Sequence, residues 1–324
     1  MQRWRRFGYL LLLAIPVVFG ILVLNFFLIH LAPGDPASVL AGEGGAATPE
    51  YMAALRAKFG LDRSLMEQFL TYIGNALRLD LGYSFRNDAP VAQLIFDRLG
   101  PTLLLMGTAF VAALTGGITL GLLAASARNK LRDAVISFLS LLCYATPGFW
   151  LGLMLIVVFA INLGWLPTSG LEDIGAFNEG WDRVWDIGRH LILPASTLAV
   201  FYLALYSRLM RASMLEQTGM DYVVTARAKG LSERGIVYGH IMRNAMLPVV
   251  TMAGLQAGNL IGGSVVVETV FGWPGIGTLA FNALQSRDLN LLLGIFFVSA
   301  CLVVVINLLT DLMYITLDPR IQIR

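Results

Sequence analysis

The stretch Asp221-Tyr222-Val223-Val224-Thr225-Ala226-Arg227-Ala228-Lys229-Gly230-Leu231 decides the architecture because of what stands on either side of it. Before it runs an apolar segment at residues 191–210, and after it another at 245–270. Each is long enough to cross a bilayer core about 30 Å thick, which takes roughly 20 residues of helix. The connection between them, residues 211–244, is too long and too well patterned for a plain turn. It reads as two short helices split at Gly230. The first, up to Lys229, carries apolar Leu215, Tyr222, Val223 and Ala226 among polar neighbours, and the second, 231–242, has Ser232 as its N-cap. A glycine between two helices supplies a positive φ or room for close backbone approach. A short amphipathic helix held beside a membrane can lie in a groove of a soluble partner. The plainer alternative is a solvated basic loop.

Composition extends the same reading to the whole chain. Of 324 residues, 57% are hydrophobic and only 14% charged, where soluble domains carry about 25% charged residues. That much apolar surface calls for lipid as its solvent. Six windows are apolar enough to span a membrane: 9–31, 101–125, 134–163, 191–210, 245–270 and 291–317. The fold expected is therefore all-α and integral to a membrane, with six transmembrane helices. The third window is over-long, which leaves two readings, a start that runs along the interface or a kink at Pro147, and the glycine-rich fifth is the weakest span. The first follows Met1–Arg6 as a signal peptide would, but its apolar run exceeds the usual 7–15 residues or so of a signal, so it reads as an uncleaved anchor. Cys143 and Cys301 both lie in apolar stretches and read as small buried hydrophobes. A net charge of +2 gives no case for nucleic acid.

Charge distribution orients the chain. With both termini inside, the inner segments hold 14 of the 23 Lys and Arg residues, whereas 14 of the 21 Asp and Glu residues fall outside; the positive-inside rule thus places both termini in the cytoplasm. The first outer connection, about 70 residues, should have structure of its own. It leaves the membrane through Ala32-Pro33-Gly34-Asp35-Pro36. Thr48 and Pro49 form a helix start, and Leu55, Phe59, Leu65, Phe69, Tyr72, Ile73 and Leu77 follow at broken helical spacing. Short amphipathic helices are expected there. The second outer loop, 164–190, holds Trp165, Trp181 and Trp185 with an acidic cluster. An interfacial belt is the simplest reading and an aromatic cage the other.

Some chemistry is missing from the sequence. No G-x-x-x-x-G-K-[ST] loop is present to cradle phosphate, no H-E-x-x-H, and no G-x-S-x-G elbow. His30, His190 and His240 share no metal-binding spacing. Ionisable groups within the spans are chiefly Glu268 and Asp311. Because burying charge in lipid is costly, Glu268, together with polar Gln256 and Asn259, is a candidate for a pathway or gate. A structural hydrogen bond to a neighbouring helix is the competing reading for Glu268, and a structural or interfacial one for Asp311. Gly117 and Gly121, like Gly258 and Gly262, have the small-x-x-x-small spacing of tight helix packing.

At 221–231, continuing through Arg243-Asn244-Ala245-Met246-Leu247-Pro248, the sequence resembles the permease subunits of binding-protein-dependent ABC importers, specifically the first permease subunit of the dipeptide, oligopeptide and nickel group. The general importer pattern is Glu-Ala-Ala, three residues, then Gly; here Val224 and Thr225 stand at the first two positions while Ala226 and Gly230 are kept. The resemblance runs nearly end to end, through Pro33-Gly34-Asp35-Pro36, Leu81-Gly82-Tyr83-Ser84, Leu99 to Leu104, Pro147-Gly148-Phe149-Trp150, His190-Leu191-Ile192-Leu193-Pro194, Glu268-Thr269-Val270-Phe271 and Pro274-Gly275-Ile276-Gly277.

That resemblance implies a type I ABC importer transmembrane fold with a cytoplasmic coupling helix. Residues 1–31 would be tail and first span, 32–94 a periplasmic segment, 95–317 a five-helix core with its coupling loop at 211–244, and 318–324 a cytoplasmic tail. It implies ATPase coupling through Asp221, Tyr222, Thr225, Ala226, Arg227, Lys229, Gly230 and Leu231, with docking through Tyr222, Ala226 and Leu231 and pairing of Arg227 and Lys229 with acidic residues of the partner. Leu247 and Pro248 would be structural. No cofactor would sit on this chain, ATP and Mg being bound by two partner ATPase subunits. A second, distinct permease subunit and a periplasmic or lipid-anchored solute-binding protein would complete the assembly. Dipeptides or oligopeptides are the first solutes implied, then nickel complexes, glutathione or other modified peptides. A secondary transporter would show inverted repeats and buried coupling-ion groups, and a membrane scaffold no flux at all.

Overall fold

The computed structural model describes residues 2–31, 48, 62–126 and 130–317. The expected helix start at Pro49, the charges at Arg128 and Arg320 and the 318–324 tail lie outside the described residues, as does the side chain of Asp311. The order is α1 (Gln2–Leu31), α2 (Leu65–Leu77), strands β1 (Tyr83–Ser84) and β2 (Ala89–Pro90), α3 (Val91–Ala125), α4 (Lys130–Ala145) and α5 (Gly148–Leu155). Then follow α6 (Gly180–Thr218), α7 (Asp221–Ala228), α8 (Glu233–Ile236), α9 (Met242–Ala257), α10 (Asn259–Val270), α11 (Ile276–Gln285) and α12 (Leu289–Leu317).

Among the described residues, three helices are long and apolar enough to cross a membrane whole: α3, α6 and the 289–310 part of α12. Two bent pairs are long and apolar enough only when each is taken together, as a broken span or a re-entrant loop. Residues 131–145 and 148–162 meet at 105°, and 233–257 and 259–270 at 61°. Helix α1 contributes the shorter apolar stretch Ile15–Leu28. The first break falls where Pro147 stands in extended conformation (φ −60°, ψ 131°). Proline disfavours the helical region for the residue before it, so α4 stops at Ala145, before Thr146, and of the two readings open for the third window the backbone shows the kink.

By packing, the chain divides into two compact units, residues 1–98 with 279–305, and 99–278 with 306–324. These boundaries cut across the expected division into 32–94 and 95–317, because the start of α12 packs with the amino-terminal elements. In the first unit, α2 opens on a reciprocal cap: Glu67 N–H donates to Ser64 Oγ at 3.4 Å and Ser64 N–H to Glu67 Oε2 at 3.2 Å. Its apolar face lays Tyr72, Ile73 and buried Ala76 against Leu22 of α1 and Phe297 of α12, and Phe69 meets Phe26 edge-on at 5.1 Å. Leu65 and Leu77, expected on that face, are exposed. The hairpin pairs Tyr83 with Pro90 and Ser84 with Ala89. Buried Ser84 donates to the Asp288 carboxylate, and Asn25 Nδ2 reaches the Leu293 carbonyl at 3.2 Å.

The second unit is built around α6. Its buried face, including Leu198, Tyr202, Tyr206 and Met210, meets α3, α7 and α9 in one apolar core. Gly117 and Gly121 of α3 allow the close approach read from their spacing. A Cβ on Gly121 would lie 2.6 Å from both the Ser207 carbonyl and Met210 Cβ. Gly262, by contrast, faces open space, so it seats no helix among the described residues. Gly121→Val is therefore expected to cut the yield of correctly inserted protein several-fold, because the obstruction is backbone and cannot rotate away. Gly107→Ala, with nothing within 4 Å of the added carbon, serves as the control in a membrane-fraction immunoblot. Equal yields for the two variants would refute the packing argument. At one end of α6, Arg211 Nη2 donates to Asp133 Oδ2 at 2.6 Å and ties α6 to α4.

Candidate functional site

Helix α7 ends on a defined stop. Gly230 N–H donates to the Arg227 carbonyl at 2.9 Å and Leu231 N–H to the Ala226 carbonyl at 3.3 Å. This pair of bonds, running back over the last turn, needs a left-handed residue just past the helix, and Gly230 supplies it at φ +75°. The next helix starts at once, with Ser232 Oγ accepting from Gly235 N–H at 3.2 Å. The expected second short helix is not separate, however. Helix α8 runs through a π turn, Val237–Ile241, straight into α9, so the loop is mechanically continuous with the fifth span. On the other side, α6 extends to Thr218, leaving only Gly219 and Met220 before α7.

The faces of α7 differ from the docking expected. Val223 is fully buried and Ala226 only 5% exposed, packed into this chain's own core. Ala226 is thus corrected from a partner contact to an anchor: a small residue there lets α7 lie close on the core. Tyr222 is half-buried and its hydroxyl donates to Gln217 Oε1 at 2.9 Å. What faces outward is Val224, 61% exposed, and Leu231, 46% exposed, with Met220, Asp221, Thr225 and Lys229 beside them. Arg227 has an acidic neighbour within the chain. Its guanidinium makes a forked contact with Glu233 of the same chain, Nε to Oε1 at 2.9 Å, and that carboxylate raises the arginine's pKa above its ordinary value. The pair is exposed, so it fixes orientation more than it stabilises.

Glu268 is the other candidate. It is 0% exposed, which removes it from any pathway surface of the chain. Three donors converge on its carboxylate: Thr102 Oγ1 at 2.9 Å on Oε1, and the Gly277 and Thr278 N–H groups at 2.7 and 3.1 Å on Oε2. Thr102 Oγ1 in turn accepts from Ile276 N–H at 2.8 Å. The carboxylate therefore occupies the amino end of α11, where unpaired backbone N–H groups and the helix dipole favour an anion. Glycines make room for it. A Cβ on Gly275 would fall 2.3 Å from the carboxylate and one on Gly277 2.6 Å from Val265 Cα. Trp273, fully buried, completes the junction by donating to the Pro101 carbonyl at 3.0 Å. Of the two readings open for Glu268, the structural hydrogen bond describes this geometry.

Sequence reasoning did not single out Thr102, Gly275 or Gly277 for this role. The available signal was a Gly-Ile-Gly following a buried carboxylate by seven to nine residues. Gln256 and Asn259 stay accessible, flanking the break at Gly258, where Asn259 Nδ2 donates to Gln256 Oε1 at 2.5 Å. Leu247 and Pro248 both lie within α9 on its exposed side. Trp165, Trp181 and Trp185 are all exposed and, among the described residues, make no ring contact with one another, so they do not form a cage.

Comparison with known proteins places this geometry in a lineage. The chain is 40% identical over 316 residues to the oligopeptide transport system permease protein AppB of Bacillus subtilis, covering 96% of this chain and 97% of that one. It is 39% identical over 336 residues to the dipeptide transport system permease protein DppB of Escherichia coli K12, covering 98% and 97%. Among solved structures, a chain from the inward-facing MetNI methionine ABC transporter superposes with a TM-score of 0.55 at 17% identity, covering 70% of this chain and 97% of that one. One from an amino acid ABC transporter superposes at 0.51 and 18%, covering 68% and 92%. At those identities the likeness is one of fold, the type I ABC importer fold. Residues 5–106 match the N-terminal component of the binding-protein-dependent transport system membrane proteins. Residues 117–323 match the inner membrane component itself, and the chain belongs to that family as an integral inner-membrane permease of an ABC transporter.

Proposed function

We propose that this permease forms half of the pathway of a peptide importer, and that α7 is the element through which ATP hydrolysed elsewhere moves it. One observation carries the coupling reading: α7 is locked to the core through Val223 and Ala226, yet it offers Val224 and Leu231 to the outside. A side chain pressed at Val224 pushes a rigid body. That body is joined to α6 through two residues and to α9 without a break. Two ATPase subunits holding ATP and Mg receive this face on the cytoplasmic side. A second, distinct permease completes the pathway, and a periplasmic or lipid-anchored binding protein delivers the solute. Both termini are cytoplasmic, as the distribution of basic residues indicates. Peptide as the solute rests on kinship with proteins named for dipeptide and oligopeptide transport. Nucleotide-driven closure of the ATPases then favours one of two packings of the helices, and the solute crosses by that shift in population.

The test is reconstitution of the permease pair with its ATPases and binding protein in proteoliposomes. Labelled trialanine should enter only with ATP inside reach of the ATPases. Uptake driven by a proton gradient without ATPase subunits would overturn the reading. Within that system, Val224→Asp places an unpaired charge in the docking face. It is expected to weaken capture of the ATPase subunits at least ten-fold in a pull-down from detergent, while leaving the permease folded; wild-type capture would exclude α7 as the contact.

A further inference from the structure

Outside α7 and the Glu268 junction, one cavity of about 610 Å³ lies between the loop after α5 and the amino-terminal third of α6. Its polar lining includes Thr168, Ser169, Glu172, Asp173, Arg189 and His190. Volumes of this size take small organic ligands. Both signs of charge face it, and the decisive group is His190. The residue is only 9% exposed, and its Nδ1 is committed to the Asp186 carbonyl at 2.9 Å and the Asp186 carboxylate at 3.2 Å. Both of those oxygens only accept, so Nδ1 carries a proton and donates to them. The other ring nitrogen, Nε2, has no hydrogen-bond partner among the described residues. Asp186 is itself held by Asp173 N–H at 2.7 Å and Asn178 Nδ2 at 3.3 Å, which locks the ring in place. The result is a fixed imidazole in a polar cavity, with Nε2 unpartnered among the described residues.

Opposite charges flank it. The Asp173 carboxylate spends one oxygen on Gly175 N–H at 3.1 Å, and Glu172 is forked by Arg183 at 2.6 and 3.1 Å. Arg189 uses one nitrogen, Nη2, on the Trp165 carbonyl at 3.0 Å, and its other donors have no hydrogen-bond partner among the described residues. A guanidinium fork suits a carboxylate, whereas a carboxylate such as that of Asp173, beside the imidazole, suits an ammonium group. We infer that this cavity is a way-station for short peptides with free ends, the α-ammonium group held by His190 Nε2 and Asp173 and the α-carboxylate by Arg189. The inference rests on the peptide reading above. It adds a site on the permease itself, within the loop and helix that charge distribution assigns to the face where solute arrives.

The experiment uses the permease–ATPase complex in nanodiscs without any binding protein, so that selection by that protein cannot intervene. Saturation-transfer NMR with millimolar trialanine should show enhancement of both terminal methyl groups. Arg189→Gln should reduce the carboxy-terminal methyl at least three-fold and His190→Phe the amino-terminal methyl. Trialanine amide should be indifferent to the first change and N-acetyl-trialanine to the second. Equal enhancement in wild type and Arg189→Gln, an exposed position that does not endanger the fold, would overturn the cavity as a site. So would absence of any enhancement in a wild-type complex that transports trialanine. A wild-type complex that neither binds nor transports trialanine would instead overturn the peptide reading, and with it this occupant.

Discussion

Glu268→Ala is expected to leave the purified permease several kcal/mol less stable, with its melting temperature in nanodiscs falling by ten degrees or more. Removal of the carboxylate strands the Gly277 and Thr278 N–H groups and the Thr102 hydroxyl. Each buried donor left without an acceptor costs about 1–3 kcal/mol, and the loss also empties the space that Gly275 and Gly277 keep clear. The order of variants matters more than the size of the effect. Glu268→Gln retains one oxygen, which can still accept from the two N–H groups of α11, while its amide turns toward Thr102; it should fall between wild type and alanine. Gly275→Ala should be at least as damaging as Glu268→Ala, since its Cβ would lie 2.3 Å from the carboxylate carbon. The double variant Glu268→Ala with Gly275→Ala should recover part of the loss, because the added methyl then occupies space the carboxylate has left. Such recovery is the non-additivity expected of groups in contact. If glutamine and alanine at 268 were equally benign, with transport alone affected, the gate reading would return.

That junction was the least legible part of the chain, for a physical reason. Its members are residues 102, 268 and 275–278, and a carboxylate in a glycine-rich helix says nothing by itself about whether its partners are substrate, solvent or another helix. Gly230, Ser232 and Pro147 were legible because their chemistry acts within a few residues: a left-handed stop, a side-chain cap, and a barrier to helix before proline. The orientation of α7 fell between these cases. Eight residues make barely two turns, and Tyr222, Val223, Ala226 and Leu231 could be drawn on one face or two. The core beneath them decides, by burying Val223 and Ala226 and leaving Val224 outside. The Arg227–Glu233 pair was hidden likewise, because its partners face each other only once Gly230 has turned the chain. The continuity of α8 with α9 was obscured by Gly239 between them, since an isolated glycine weakens a helical reading.

Gly230→Pro is expected to reduce ATP-dependent uptake at least ten-fold while leaving insertion into the membrane and ATP turnover by the assembled complex in place. Proline fixes φ near −65°, and the backbone here sits at +75°, so the turn cannot form. It also deletes the N–H that closes on Arg227. The damage is local, because the membrane spans owe nothing to this bond and Val223 and Ala226 remain apolar. What is lost is the fixed angle between α7 and the helix that follows, and with it the placing of Val224 against Leu231. An ATPase can still bind a frayed α7, but its stroke then bends the joint instead of moving α9. Gly230→Ala separates strain from this loss. It keeps the N–H and carries only the left-handed penalty of about 1–2 kcal/mol, so its uptake should lie between the two. Gly219→Pro is the wrong control, because that N–H also closes a turn, on Glu216; Gly239→Ala, with open space around its added carbon, is the right one and should transport normally. Full uptake by Gly230→Pro would mean that force enters the membrane helices by some route other than α7.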